Sequence, residues 1–131
     1  MKKILLTVFM AVCGLQMSAQ QNLFVAQDLE SAIVNKDNTV TFNFKAPDAQ
    51  KVQIAGDFAE KAEGQHIGGM VGAGLIDMTK NSEGIWTYTT KPLDSELYSY
   101  EFMVDGVPTI DPNNVYVYRD FATTSNVFIV G

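Results

Sequence analysis

The feature that most constrains the fold is an alternation of apolar and polar residues, which turn signals interrupt about every ten residues. It is clearest in residues 39–45, where Val40, Phe42 and Phe44 fall on one face and polar side chains fall on the other. Six later segments look extended for similar reasons: 52–58, 85–90, 98–104, 107–110, 116–120 and 126–130. No segment after residue 20 keeps a helical period, so the sequence predicts an all-β, immunoglobulin-like antiparallel β-sandwich.

Turn chemistry separates the predicted strands. Asp105-Gly106 predicts a tight hairpin because both residues tolerate a positive φ, and the residues after it would pair back on the preceding strand. Asp111-Pro112-Asn113-Asn114 predicts another turn. Residues 59–77 hold five glycines, which predicts a long loop of the kind that tends to be functional or mobile. The glycines of its central part, 64–74, do not lead into a helix, so a loop is favoured over a phosphate-binding cradle.

The first residues have the three parts of a secretory signal peptide: a positive start, an apolar stretch of about a dozen residues, and small residues at its end. We therefore expect residues 1–19 to be a signal peptide, residues 20–35 to be an N-terminal arm, and residues 36–131 to be the domain. A buried N-terminal helix is the alternative for the first segment. The expected location is secreted or periplasmic, without membrane association after cleavage.

Cysteine content and charge exclude several function classes. Cys13 is the only cysteine, and the bulky Val12 before it disfavours a lipoprotein anchor. A cleaved chain would therefore have no thiol for disulfides, nucleophilic catalysis or metal binding. The chain holds 15 acidic and 9 basic residues, for a formal net charge of −6. Such a chain is a poor binder of nucleic acid and of anionic membranes, whereas neutral ligands such as glycans remain open.

The residues give no indication of catalysis. His66 is the only histidine and the chain has no Gly-x-Ser-x-Gly motif, so a Ser-His-Asp hydrolase is not expected. Four residues could supply oxygen ligands for Ca²⁺, but their spacing matches no known calcium loop, and we interpret them as turn residues: Asp105, Asp111, Asn113 and Asp120. We therefore expect a protein without enzyme activity, cofactor or metal site.

Five motifs stand in a recognisable order: Val52–Phe58, Gly84–Trp86, Tyr98–Gly106, Asp111-Pro112 and Ser125–Val127. In this order they resemble the early-set group of immunoglobulin-like domains, which includes the family 48 carbohydrate-binding modules and the glycogen-binding domain of the AMP-activated kinase beta subunit. Met78-Thr79-Lys80 and the run Asp111–Tyr116 make the chain more similar to the N-terminal domain of secreted Bacteroidetes carbohydrate esterases, among them feruloyl and acetyl-xylan esterases. The resemblance covers about residues 36–131.

This resemblance implies a non-catalytic accessory module, associated with binding plant cell-wall polysaccharide or with positioning an esterase catalytic domain on it. The alternative is a structural docking domain that packs on a hydrolase domain without binding sugar. In such esterases the hydrolase domain follows directly, whereas this chain stops at Gly131, so we expect either a stand-alone module or a truncated esterase. The sequence leaves the glycan and the oligomeric state open.

The resemblance also implies where sugar contacts would lie. Glycogen-binding members use four contact positions, and three of them are not kept here. No aromatic follows Phe58, Glu101 replaces a lysine, and Val107 or Pro108 replaces a tryptophan. Only Asn126, or its neighbour Ser125, keeps a suitable polar group, so starch or glycogen binding at that surface is not expected.

The candidates for glycan contact are Trp86, Tyr116, Tyr118 and Asn126. Trp86 could stack on a sugar, but it shares a strand face with Tyr88, and a core position is favoured. Tyr116 and Tyr118 lie on one face of a predicted strand. There they would form a stacking platform, cover a sheet face or dock a neighbouring domain.

Overall fold

The computed structural model describes residues 29–59, 66–67, 70–71 and 74–131. The predicted signal peptide, residues 20–28 of the predicted arm and most of the glycine-rich loop lie outside this part. The described strands are β1 (Ile33–Val34), β2 (Val40–Lys45), β3 (Val52–Gly56), β4 (His66–Ile67), β5 (Met70–Val71), β6 (Leu75–Asp77), β7 (Thr79–Lys80), β8 (Ile85–Thr89), β9 (Leu97–Val104), β10 (Val107–Thr109), β11 (Val117–Arg119) and β12 (Thr124–Ile129). None of the described residues forms a helix, so none offers a helical membrane span.

The strands form two antiparallel sheets and one small separate hairpin. The first sheet has the order β1-β2-β8-β7. The second has the order β11-β12-β9-β3-β6, with β10 pairing to β9, and β4 pairs with β5. Buried side chains of both sheets belong to one hydrophobic cluster. The architecture is therefore an all-β, immunoglobulin-like sandwich, which confirms the fold class that the sequence predicted.

The core lies between the two sheets and is built from the alternating apolar residues of their strands. Phe42 of β2 is fully buried, and its ring centroid is 4.7 Å from that of Tyr100 and 5.5 Å from that of Phe128. The ring centroids of Phe44 and Phe102 are 4.8 Å apart. Aromatic pairs of this kind add about 0.5–1.5 kcal/mol each beyond the burial of their area. The period-two pattern therefore specifies which face of each strand is buried.

The hairpin predicted at Asp105-Gly106 is confirmed. Both residues have a positive φ, 48° and 83°, and Val107 pairs with Val104 across the turn. The Asp105 side chain also reaches the loop before β3. Its Oδ1 accepts the backbone N–H groups of Gln50 at 2.9 Å and Lys51 at 2.8 Å. The Asp105-Gly106 turn is therefore hydrogen-bonded to the loop before β3 at the same end of the sandwich.

Three segments contain strands where the sequence predicted none, and one of them is β7 (Thr79–Lys80), which pairs with β8. The predicted loop 59–77 ends in β6, whose Ile76 pairs with Ile54 of β3, and His66 of that loop lies in β4. Ile33–Val34, placed in the arm, pair with β2 at the edge of the first sheet. Strands of two or three residues are too short to display a period, and glycines precede β6. The sequence therefore predicted no strand at these positions.

We predict that Asp105→Ala lowers the free energy of unfolding by about 2 kcal/mol, because two backbone N–H groups lose their acceptor and alanine is strained at positive φ. Asp105→Asn keeps a side-chain oxygen and tolerates the same φ, so it should retain most of the stability. Urea denaturation of the two variants measures the difference. Equal losses in both would contradict the role assigned to the Asp105 oxygen.

Candidate functional site

An exposed pair of aromatic rings lies on β11 and the residue before it. Tyr116 is 70% exposed and Tyr118 is 58% exposed. Tyr118 is opposite Ser125 of β12, and the Tyr116 carbonyl accepts the Val127 N–H at 3.0 Å, so both belong to the ladder with β12. Residues two apart on a strand point to the same side, about 6.8 Å from each other. The two rings, called the tyrosine pair below, therefore face solvent together.

Apolar side chains extend the surface around the tyrosine pair. Leu97 of β9 and Ile129 of β12 are opposite each other and are 58% and 66% exposed. Val115 and Phe121, beyond either end of β11, are exposed as well. Contiguous exposed apolar side chains commonly mark a binding surface. This region, called the outer patch below, consists of Leu97, Val115, Tyr116, Tyr118, Phe121 and Ile129.

Asn114 ties the tyrosine pair to the core. Its Oδ1 accepts the Tyr116 N–H at 2.9 Å. Its Nδ2 donates to the Tyr100 hydroxyl and to the Val127 carbonyl, both at 3.0 Å. Because Tyr100 is 2% exposed, the backbone of Tyr116 is anchored through one side chain to a buried hydroxyl. The position of the pair is therefore set by the interior of the protein.

A buried polar network lies behind the tyrosine pair and joins the Asp-Pro-Asn-Asn turn to β12. Asn126 accepts the Asp111 N–H at 2.6 Å and donates to the carbonyls of Asp111 at 3.3 Å and Asn114 at 3.0 Å. Asp111 is 1% exposed, and its carboxylate accepts the Tyr100 hydroxyl at 2.7 Å. Burial and the adjacent Asp111 carboxylate raise the pKa of Tyr100, so its hydroxyl remains a donor.

Two of the four candidates for glycan contact are buried. Asn126 has no exposed surface, because the turn that it fastens covers it. Trp86 is 8% exposed, its indole N–H donates to the Ala46 carbonyl at 2.9 Å, and the Lys80 ammonium lies 5.5 Å from its ring centroid. Trp86 therefore occupies the core position that the sequence favoured and offers no free face to a sugar. The tyrosine pair remains available to a ligand.

The acidic turn residues have structural partners. As described above, Asp105 accepts two backbone N–H groups and Asp111 accepts the Tyr100 hydroxyl. Asp111 Oδ1 also accepts the Asn113 N–H at 2.9 Å. Asp120 Oδ1 accepts the N–H groups of Thr123 at 2.6 Å and Ala122 at 2.7 Å, and these hydrogen bonds lower the pKa of Asp120. Within the described ranges, no three His, Cys, Asp or Glu side chains converge as a metal site would require.

A groove lies beside the outer patch, where β1 of the first sheet faces β12 of the second. Its volume is about 490 Å³, within the range of about 300–1,000 Å³ that is usual for ligand sites. Apolar side chains dominate its lining: Ala32, Val34, Leu97, Val115, Tyr116, Val127, Phe128 and Ile129. Ser31, Asn113 and Asn114 contribute the polar groups.

Sequence reasoning missed this groove because its lining comes from segments that are distant in the chain. One wall is β1, which the sequence placed in an arm. The run Val115–Tyr118 was the one local signal, since it is apolar on both faces and therefore cannot bury both. That pattern would have indicated an exposed apolar strand at the edge of the sheet.

Comparison with known proteins supports the fold and gives no family. No protein-family model matches the sequence, and no curated protein matches it either. Solved structures do match. The group B Streptococcus pullulanase SAP, in complex with maltotetraose, shares 17% identity and a TM-score of 0.56 over 81% of this chain and 15% of that chain. The catalytic module of the glycogen-degrading pneumococcal virulence factor SpuA shares 16% identity and a TM-score of 0.57 over 86% and 18%.

A third match, the pullulanase of Bacillus acidopullulyticus, shares 20% identity and a TM-score of 0.51 over 79% of this chain and 12% of that chain. The chain thus spans less than a fifth of each of these three proteins. At such identities the likeness shows a shared fold. The same kind of β-sandwich therefore occurs within pullulanases, as one part of a much longer chain.

We predict that Asn126→Ala lowers the free energy of unfolding by about 3 kcal/mol or more, because it leaves the buried N–H and carbonyl groups of the turn without partners. Asn113→Ala is the matched control. Its Nδ2 has no hydrogen-bond partner among the described residues, so its loss should change stability by less than about 0.5 kcal/mol. Denaturant titration compares the two, and similar losses would refute the importance assigned to the Asn126 network.

Proposed function

We propose that the protein is a non-catalytic accessory module that binds an uncharged glycan through the tyrosine pair. The observation that carries this proposal is the position of Tyr116 and Tyr118, largely exposed on one solvent-facing side of the ladder with β12. Aromatic rings presented in this way stack on the apolar faces of sugars, and their hydroxyl groups can hydrogen-bond. Because Asn114 already holds the backbone of Tyr116, little ordering is needed on binding.

Fold, charge and sequence motifs support this proposal independently. The fold is shared with part of pullulanases, one of which was solved in complex with maltotetraose. The net charge of −6 suits an uncharged polymer better than an anionic one. The resemblance to the N-terminal domain of carbohydrate esterases favours plant cell-wall polysaccharide as the ligand, and an esterase catalytic domain as the activity that the module positions. Secretion through a signal peptide at residues 1–19 is part of the same proposal.

Starch is the less favoured ligand. Three of the four contact positions of glycogen-binding domains are not kept in the sequence, and the fourth, Asn126, is buried. The proposed surface instead uses residues of β11, which do not belong to that set. A glycan of the xylan type is therefore the first ligand to test.

We predict that the mature protein, residues 20–131, binds xylan or arabinoxylan oligosaccharides with NMR shift changes centred on Tyr116 and Tyr118. Replacing both tyrosines by alanine should weaken binding by about fivefold to 150-fold, since two stacking contacts of about 0.5–1.5 kcal/mol each are lost. Val107→Ala is the control, because Val107 is 61% exposed on β10 and lies outside the outer patch. A flat response to xylan, arabinoxylan and starch oligosaccharides would overturn the glycan proposal.

A second candidate function is docking to a hydrolase domain without binding sugar. The observation that favours it is the number of aliphatic side chains in the outer patch, since Leu97, Val115 and Ile129 suit a protein surface better than a hydroxylated one. In this proposal the outer patch packs on a catalytic domain and the tyrosine pair belongs to the interface.

For docking, we predict that the mature protein co-elutes with a separately expressed feruloyl or acetyl-xylan esterase catalytic domain in size-exclusion chromatography. Ile129→Lys should abolish co-elution, because it places a charge within the buried part of the contact. Val107→Lys, a similarly exposed position on another strand, should leave co-elution unchanged. Separate elution of the wild-type proteins would exclude docking to these domains.

A further inference from the structure

The groove between β1 and β12 has a wall that is more apolar than the tyrosine pair beside it. Val34, Leu97 and Ile129 line it, and Tyr116 is shared between the groove and the tyrosine pair. A ligand that lies on the tyrosine pair would therefore have one end at the mouth of the groove. The inference below rests on the proposed glycan function and adds a second element to the same site.

Among the described residues that line the groove, none is Asp, Glu, Lys, Arg or His. In a chain of net charge −6, a charged ligand group would enter a concave apolar surface without an opposite charge to meet it. Removing an ion from water without a partner is strongly unfavourable. The described lining of the groove therefore favours an uncharged occupant.

The polar groups of the groove are largely occupied by the protein itself. Asn114 donates to Tyr100 and Val127 and accepts from Tyr116, and the Ser31 hydroxyl oxygen accepts the Asn43 N–H at 3.3 Å. Among the described residues, only Asn113 Nδ2 is a buried side-chain donor without a partner. A sugar ring carries several hydroxyl groups, and most of them would lose their hydration here without replacement. The groove therefore suits an apolar group better than a sugar ring.

From these observations we infer that the groove binds an uncharged, largely apolar substituent carried by the glycan, such as an aryl or alkyl group, while the sugar ring lies against Tyr116. The two parts of the ligand would match the two parts of the surface. The hydroxylated ring meets an aromatic face that is open to water, and the apolar group enters the groove where polar groups are already satisfied. The site would then favour substituted over unsubstituted glycans.

The test compares phenyl β-xyloside with methyl β-xyloside in NMR titrations of the mature protein. We expect the phenyl compound to bind at least about tenfold more tightly and to shift the signals of Val34, Val115 and Ile129. Equal affinity for the two compounds, or phenyl-induced shifts away from these residues, would overturn the inference. An absence of phenyl xyloside binding would overturn it as well.

A matched pair of variants locates the site. Ile129→Glu places a carboxylate at the groove and should weaken phenyl xyloside binding at least about tenfold, whereas Val107→Glu should leave it unchanged. The two positions are comparably exposed, at 66% and 61%, and both lie on strands of the second sheet, so both variants should fold. Matching thermal unfolding curves check this. If both variants bind like the wild type, the groove is not the site.

Unsubstituted xylan oligosaccharides separate this inference from the proposed function. If they bind at the tyrosine pair while phenyl and methyl xylosides bind equally, the groove inference fails and the glycan function stands. If phenyl xyloside binds in the groove while unsubstituted oligosaccharides do not bind at all, the groove stands as an apolar-ligand site and the tyrosine-pair proposal fails.

Discussion

The position of the tyrosine pair depends on a hydrogen-bond network that is buried. Asn126 of β12 holds both the N–H and the carbonyl of Asp111, and the Asp111 carboxylate accepts the Tyr100 hydroxyl. The network fixes where the chain leaves β10 and where it joins the edge of the second sheet. Because buried amide and carboxylate groups are costly without partners, these hydrogen bonds hold the crossing in place. The path of the chain from Asn114 to Tyr116 follows from it.

Asn114 connects this buried network to the surface. One side of its amide contacts the buried Tyr100 hydroxyl, and the other accepts the N–H of Tyr116. The tyrosine pair and one wall of the groove are therefore positioned by the same residues that close the core. This coupling explains how an edge strand of three residues, which would be mobile in isolation, can present aromatic rings in a defined orientation. Different residues therefore serve the two roles. The buried network residues stabilise the fold, and the exposed tyrosines are the candidates for binding.

The sequence predicted those parts of the fold in which one strand carries enough residues to show its period. In β2 and β9 every inward position is apolar and every buried aromatic was assigned to the correct face. The turn at Asp105-Gly106 was equally readable because few residue pairs tolerate two consecutive positive φ angles. The edge strands β1, β6 and β7 were not predicted, because two or three residues pair with a neighbour through the backbone, and side-chain patterns carry little of that information.

The binding surface was only partly predictable, for a reason that Asn126 and Tyr118 illustrate together. Both were candidates because of residue type, yet one is fully buried and the other is 58% exposed. An asparagine is buried only where partners exist, and the partners of Asn126 are backbone groups 12 and 15 residues earlier in the chain. Sequence pattern alone does not reveal such distant pairs. Tyr116 and Tyr118 are exposed, but the apolar groove next to them requires β1, which no pattern indicated.

The likeness to pullulanases is one of fold, and a shared fold does not by itself assign a function. The shared architecture is held by inward-facing residues, and a β-sandwich of this kind tolerates many different outer faces. In this chain, the outward positions of β3 and β9 include polar residues such as Gln53, Ser99 and Glu101. The apolar residues instead collect at the edge formed by β1, β11 and β12. Exposed apolar side chains at a sheet edge promote pairing with strands of other molecules, and most proteins avoid such edges. Their concentration beside a rigidly anchored tyrosine pair is therefore best explained by a ligand or a partner that covers them.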